Sequence, residues 1–250
     1  MKNYIKILLL SLVVFSCKPE NPPPPDKPAD ETVSLTFKFT GKFNDIPMSW
    51  LNYVVTHAND TIRVARLKYL LSNFVLEKSN GEFVKLTDAY GFISLADRLD
   101  SFTFKNIPKG DYKSLRFEVG LDSAINHGNP QQWSINHPLN PSVNDMHWGW
   151  SGGYIFQIVE GYYKSNGLEK AFSYHVANDV HTQKHALVYD FTISKNSKFE
   201  MAVEVDKIFY NAVDFSIKND GDFSHSGDPD LVMDKFFKNA GGTIQIDNFK

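Results

Sequence analysis

Apolar and polar residues alternate along much of the chain, beginning with Val33, Leu35, Phe37 and Phe39 set against Ser34, Thr36, Lys38 and Thr40. A period of two is that of a half-buried strand, whose successive side chains point to opposite faces. Ile62 to Leu76 is long and apolar and changes phase near Arg66, the mark of a bulge or of a strand that switches sheets. Ser79-Asn80-Gly81 predicts a hairpin turn before Phe83 to Leu86, and Pro108-Lys109-Gly110 predicts another between Ser101–Phe104 and Ser114–Val119. Tyr154–Glu160, Ala171–Val176, Ala186–Ile193 and Phe199–Val205 complete the strand-like segments. Helical periodicity is confined to Asp228–Asn239, where Asp228 is a candidate cap, Pro229 suits the first turn and Gly241 ends the run. The pattern predicts an all-β domain, an antiparallel β-sandwich of immunoglobulin-like type with a short C-terminal helix.

Leu121 to Trp150 fits neither strand nor turn. It is rich in Asn, Pro, His, Gly and Trp, and a connection of that length inside a compact domain is a place to look for function.

The ends of the chain have different chemistry. Lys2 and Lys6 followed by an apolar run from Ile7 to Phe15 read as an export signal, too short for a membrane span. The run ends in Val14-Phe15-Ser16-Cys17, which looks like a bacterial lipobox with cleavage before a lipidated Cys17. Six of the 12 prolines then fall within residues 19–28, a composition that favours stiff polyproline II. The expected organisation is a signal peptide at 1–16, a lipidated Cys17 and tether at 17–31, and a β-sandwich at 32–250. The protein would be exported and held at the bacterial outer membrane or in the periplasm by lipid alone.

Cys17 is the single cysteine, so no disulfide framework supports the domain and no thiolate is offered to a metal within it. Removing residues 1–16 takes the net charge from −3 to −5 through loss of two lysines. Such a balance excludes the basic field that nucleic-acid binding needs.

Histidine is the remaining chemical signal. Seven of eight lie between 127 and 225, and imidazole is the usual transition-metal donor where thiols are lacking. His147, with the thioether of Met146 beside it, together with His175, His181 and His185, form the candidate metal set, and copper suits those donors. His181 and His185 are four apart, which unites two imidazoles only on a helix, and their neighbours do not read as one.

The motifs Arg66-Leu67-Lys68-Tyr69, Leu71-Ser72-Asn73-Phe74, Gly120-Leu121-Asp122, Met146-His147-Trp148-Gly149-Trp150, Gly153-Tyr154-Ile155-Phe156, Glu160-Gly161 and Phe172-Ser173-Tyr174-His175 occur in succession. Together they resemble those of the MbnP-like copper-binding proteins over about residues 33 to 205, the Trp-x-Trp…Gly-Tyr block being the specific part. The resemblance implies an extracytoplasmic β-sandwich that binds copper. It also implies a di-haem, peroxidase-like partner of MbnH type that oxidises a tryptophan to kynurenine, whose aromatic amine can join imidazoles as a donor. Trp148 or Trp150 is then the candidate for oxidation, and His147 and His175 are the best-placed ligands. The chain would be a binding protein and a substrate, not an enzyme.

Other readings stand beside this one. Gly149-Trp150-Ser151-Gly152-Gly153 matches a hydrolase elbow, which needs a strand before the serine and a helix after it. Asn219-Asp220-Gly221-Asp222 and Asp228-Pro229-Asp230 group carboxylates that could suit calcium but read first as a turn and a helix start. A metal-independent surface module could stack Trp133, Trp148 or Trp150 on a glycan. Trp148 and Trp150, two apart, could equally plug the end of the sandwich.

Overall fold

The computed structural model describes residues 31–149, 152–227 and 229–250. Residues 1–30, where the expected export signal, lipidated Cys17 and proline tether fall, lie outside the described residues, as do Trp150, Ser151 and Asp228. In chain order the strands are β1 (Thr32–Phe43), β2 (Ile46–Pro47), β3 (Val54–Val55), β4 (Thr61–Lys78), β5 (Phe83–Lys85), β6 (Gly91–Ser94) and β7 (Ser101–Pro108). They continue as β8 (Gly110–Val119), β9 (Ile155–Ser165), β10 (Leu168–Ala177), β11 (Gln183–Ile193), β12 (Ser197–Glu204), β13 (Phe223–Ser224) and β14 (Ile244–Phe249). No helix among the described residues is long and apolar enough to cross a membrane.

Two sheets form the sandwich. The smaller has the order β14-β12-β1-β2 with β7 also on β1, and the larger has β11-β8-β4-β9-β10-β13 with β3, β5 and β6 on β4. The alternation in β1 places Leu35, Phe37 and Phe39 in the core, where Phe37 meets Phe199 of its own sheet at 5.4 Å and Phe74 of the other at 5.3 Å. Phe74 in turn stacks on Phe117 at 5.7 Å, so aromatic contacts join the two layers.

The expectation of a β-sandwich holds, with strands of mixed direction. β1 and β12 run parallel, as do β10 and β13. Parallel neighbours cannot be joined by a tight turn, and in both cases the chain leaves the sheet before returning. The phase change near Arg66 is a register shift between Val64 and Arg66 in the β4–β9 ladder. The Ser79-Asn80-Gly81 turn connects β4 to β5, with Gly81 at φ 90° and its N–H bonded to Lys78 O at 2.9 Å.

The larger sheet has an interruption that positions the site. Tyr69 pairs with Gln157 on one edge of β4 and with Ile93 on the other, and Leu71 pairs with Val119 and Gly91. Since β6 runs unbroken past both, β8 and β9 follow one another along the same edge of β4. Beyond them β10 and β11 also lie end to end, Ala177 pairing with Ile155 and Gln183 with Val119. Two adjacent rows are thus broken at one level, the first by residues 120–154 and the second by residues 178–182. Gly120 stands at this seam with φ 127°, where a Cβ would come within 3.2 Å of Thr182.

Residues 121–149 fold back over the outer face of the sheet. They hold two short helices, α1 (Ser123–Asn126) and α2 (Pro141–Asn144), started by the side chains of Asp122 and Asn140. Leu139 and Met146 are buried, Tyr154 Oη donates to Leu139 O at 2.7 Å, and Lys68 Nζ donates to Asn144 O at 3.2 Å. The remaining helices are α3 (Val205–Phe209), α4 (Ile217–Asp220) and α5 (Leu231–Phe237). Two expectations need correction. Asn219-Asp220 closes a helical turn, and α5 is capped by Asp230, whose Oδ1 accepts from Met233 N at 2.9 Å.

Candidate functional site

The outer face beside the seam gathers Trp148, Glu160, His175 and His225. His175 is outward on β10, between the buried Tyr174 and Val176; Glu160 on β9 is paired with Ser173 and so stands diagonally across from it. His175 Nε2 lies 2.6 Å from Glu160 Oε1, and Ser173 Oγ donates to the same oxygen at 3.3 Å. A carboxylate can only accept, so the His175 Nε2–H donates to it, and Nδ1 is the ring nitrogen left out of that bond. That Nδ1 is buried and has no hydrogen-bond partner.

His225 comes directly after β13 and lies parallel to His175, with ring centroids 4.3 Å apart and planes 2° from coincidence. Ser226 fixes the approach: its Oγ donates to His175 O at 2.8 Å and accepts from Ala177 N at 3.0 Å. Trp148 stands over both rings, 5.5 Å from His175 and 5.2 Å from His225. Its own backbone is held by a bridge between residues 146–148 and 153–155, in which Trp148 N donates to Gly153 O at 3.0 Å and Ile155 N to Met146 O at 2.9 Å.

Arg66 connects the parts. One guanidinium nitrogen donates to Glu160 Oε2 at 2.8 Å and another to Asp145 Oδ2 at 3.1 Å. The hydrogen bond from His175, then the charge of Arg66, lower the Glu160 pKa to about 2 against the opposing effect of burial. The His225 pKa is lowered by burial first and by the neighbouring His175 second.

The other sequence candidates are dispersed. His147 is next to Trp148 but lines a different cavity, of about 250 Å³, with His127 and Asn126; its Nδ1 accepts from Gly149 N at 2.9 Å. Met146 is wholly buried in the core. His181 Nδ1 donates to Ala177 O at 2.7 Å and its ring packs on Phe237. His185 faces inward and stacks on Phe117 at 4.9 Å, and burial holds its pKa down at about 4. The structure therefore brings His175 to His225 and Trp148, and not to His147, Met146, His181 or His185. Trp150 and Ser151 lie outside the described residues. Beyond Gly153 the chain enters strand β9, whereas a hydrolase elbow requires a helix after its serine. Trp133 has one face covered by His137 at 4.2 Å.

Sequence reasoning missed His225 as a ligand and gave no role to Glu160 or Arg66. His225 sits beside a two-residue strand, too short to produce a pattern. Arg66 and Glu160 each open a family-like motif, Arg66-Leu67-Lys68-Tyr69 and Glu160-Gly161, and that was their available signal.

Among the described residues, no group of three or more His, Cys, Asp or Glu side chains is arranged to hold a metal. The candidate donors gathered here are two imidazoles, stacked face to face beside an indole. This set suits copper, since Cu(I) is satisfied by few donors and accepts imidazole. The orphaned Nδ1 of His175, with its ring oriented from behind by a carboxylate, has the form of a metal-ready histidine.

A model of the MbnP family matches residues 32–227, a span that includes Trp148, Glu160, His175 and His225. Among solved structures the chain is similar to MbnP from Methylosinus trichosporium, at 15% identity and a TM-score of 0.52, covering 79% of this chain and 82% of that one. At that identity the likeness concerns the fold alone. Comparison with curated proteins gives no match. With a family match over most of its length and the same sandwich architecture, the chain belongs to the MbnP family.

Proposed function

We propose that this protein is an extracytoplasmic copper-binding protein whose metal site is built on His175 and His225, with Trp148 as the residue that a di-haem, MbnH-type partner converts to kynurenine. The observation that supports it is the buried, unpartnered Nδ1 of His175 beside the parallel ring of His225. A bound copper ion would satisfy that nitrogen. Oxidation of Trp148 would exchange a weak indole for an aromatic amine next to the two imidazoles. Glu160 keeps the His175 proton on Nε2, away from the ligand side. The protein acts by binding and delivering metal and not as an enzyme. Lipidation at Cys17 and the proline tether would hold it at the outer membrane or in the periplasm.

Two measurements test the reading. Cu(I) titrated against a competing chelator is expected to bind at one equivalent in the wild type and to be lost in His175→Ala and in His225→Ala; retention in both variants rejects the site. Peptide mass mapping of protein from its native host is expected to show one carbon replaced by one oxygen at Trp148. Unmodified Trp148 in copper-loaded protein rejects the partner's role while leaving the imidazole pair standing.

A further inference from the structure

Arg66 sits where β4 changes register against β9, between Val64 and Arg66. Bulges re-aim side chains and increase local twist, and they recur beside functional sites. Here the shift leaves Arg66 and Lys68 both engaged with the segment that covers the outer face. Arg66 spans two carboxylates from different parts of the chain: Glu160 belongs to a central strand, whereas Asp145 belongs to the loop. Asp145 comes after α2, has the left-handed conformation at φ 52°, and precedes Met146-His147-Trp148. Lys68 adds a hydrogen bond to Asn144 O at 3.2 Å and approaches Asp145 at 3.8 Å.

We infer that Arg66 is the positioning residue of the site: one arm of its guanidinium orients His175 through Glu160, and the other sets where Trp148 stands through Asp145. The inference rests on the copper reading for its metal consequence, but its geometric content is independent of metal. A guanidinium is needed because its planar fork presents several N–H donors in fixed directions, so two carboxylates can be engaged at once. An ammonium at this position is a point charge on a flexible stem and holds no such angle. The two halves of the site, one on the rigid sheet and one on the loop, are thereby referred to a single side chain.

The test uses Arg66→Lys, Arg66→Ala and Asp145→Asn in the full chain, with two readouts. In metal-free protein, nitrogen NMR of the histidines is expected to show His175 protonated on Nε2 in the wild type and in Asp145→Asn, and a mixture of tautomers in Arg66→Ala. In the copper titration, Arg66→Lys and Asp145→Asn are each expected to weaken Cu(I) binding by about 10- to 100-fold, the usual cost of losing an outer-shell partner. Combining Arg66→Lys with Asp145→Asn should cost little more than Arg66→Lys alone, because that substitution already removes the Asp145 arm. Matched near-UV circular dichroism keeps a folding defect apart from a positioning effect, and a variant that fails this match is replaced by its conservative counterpart. The inference is overturned if Arg66→Ala leaves the His175 tautomer uniform, or if Arg66→Lys and Asp145→Asn weaken binding additively. Absence of Cu(I) binding in the wild type would reject the copper reading alone, and the tautomer result would still decide the role of Arg66.

Discussion

Replacing Glu160 with glutamine keeps the size of the side chain and removes its charge. In the native protein the carboxyl accepts from His175 at 2.6 Å, from Ser173 at 3.3 Å and from Arg66 at 2.8 Å, and its pKa falls from 4.5 to about 2. At 1.36 kcal/mol per pH unit this displacement corresponds to at most roughly 3 kcal/mol of stability, and solvent screening at the partly exposed carboxyl brings it nearer to roughly 2. Because the folded-state value lies below the unfolded one, the contribution is complete above about pH 4.5 and disappears as the pH falls toward 2. Urea denaturation of the wild type and Glu160→Gln at pH 6 and at pH 2.5 checks this. The variant is expected to be less stable at pH 6, and the gap is expected to narrow by roughly 1.5 kcal/mol at pH 2.5. A gap of the same size at both pH values would refute the claim that the ionised carboxylate anchors the cluster.

Two further outcomes concern the scaffold. His185, buried against Phe117 with a pKa near 4, must be neutral in the folded state, so its share of stability is complete above about 6.5 and is lost as pH falls toward 4; His185→Phe should flatten the pH dependence of the melting temperature in that window, by roughly 3 kcal/mol in free energy. Gly161→Ala should destabilise the domain by about 2 kcal/mol or more in denaturant titration, because the new Cβ would press on Arg63 O and come within 2.8 Å of the Phe172 ring.

Local chemistry was the legible part of the sequence. Alternation located β1, the phase change at Arg66 located the register shift in β4, and Asn80-Gly81 located a hairpin, since each depends only on residues close in the chain. The excess length of 121–150 marked the segment that carries Trp148. What was not legible depends on distant pairings. Nothing local makes β1 lie parallel to β12, or aligns the break after Val119 with the break after Ala177. His225 reaches His175 only because β13 adds to the edge of β10 and Ser226 ties the two segments, so spacing along the chain could not reveal the pair. His181 and His185 look equivalent to His175 as residue types, yet their neighbours turn them toward the Phe237 and Phe117 rings. The helix cap moved from Asp228 to Asp230 because Asp230 also receives Ser224 Oγ at 2.6 Å.

The aligned interruption in the large sheet divides labour between sequence regions. On either side of the gap, β8 with β11 and β9 with β10 continue their ladders, so register is fixed without help from the residues inside the gap. An inserted segment there is anchored at both ends by strands already held to β4, and the closure cost of added length is small. Doubling that length costs only about 0.6 kcal/mol. The sandwich is in this sense a socket. Its frame can stay constant while the segment seated in it is lengthened, shortened or refitted without renegotiating the fold.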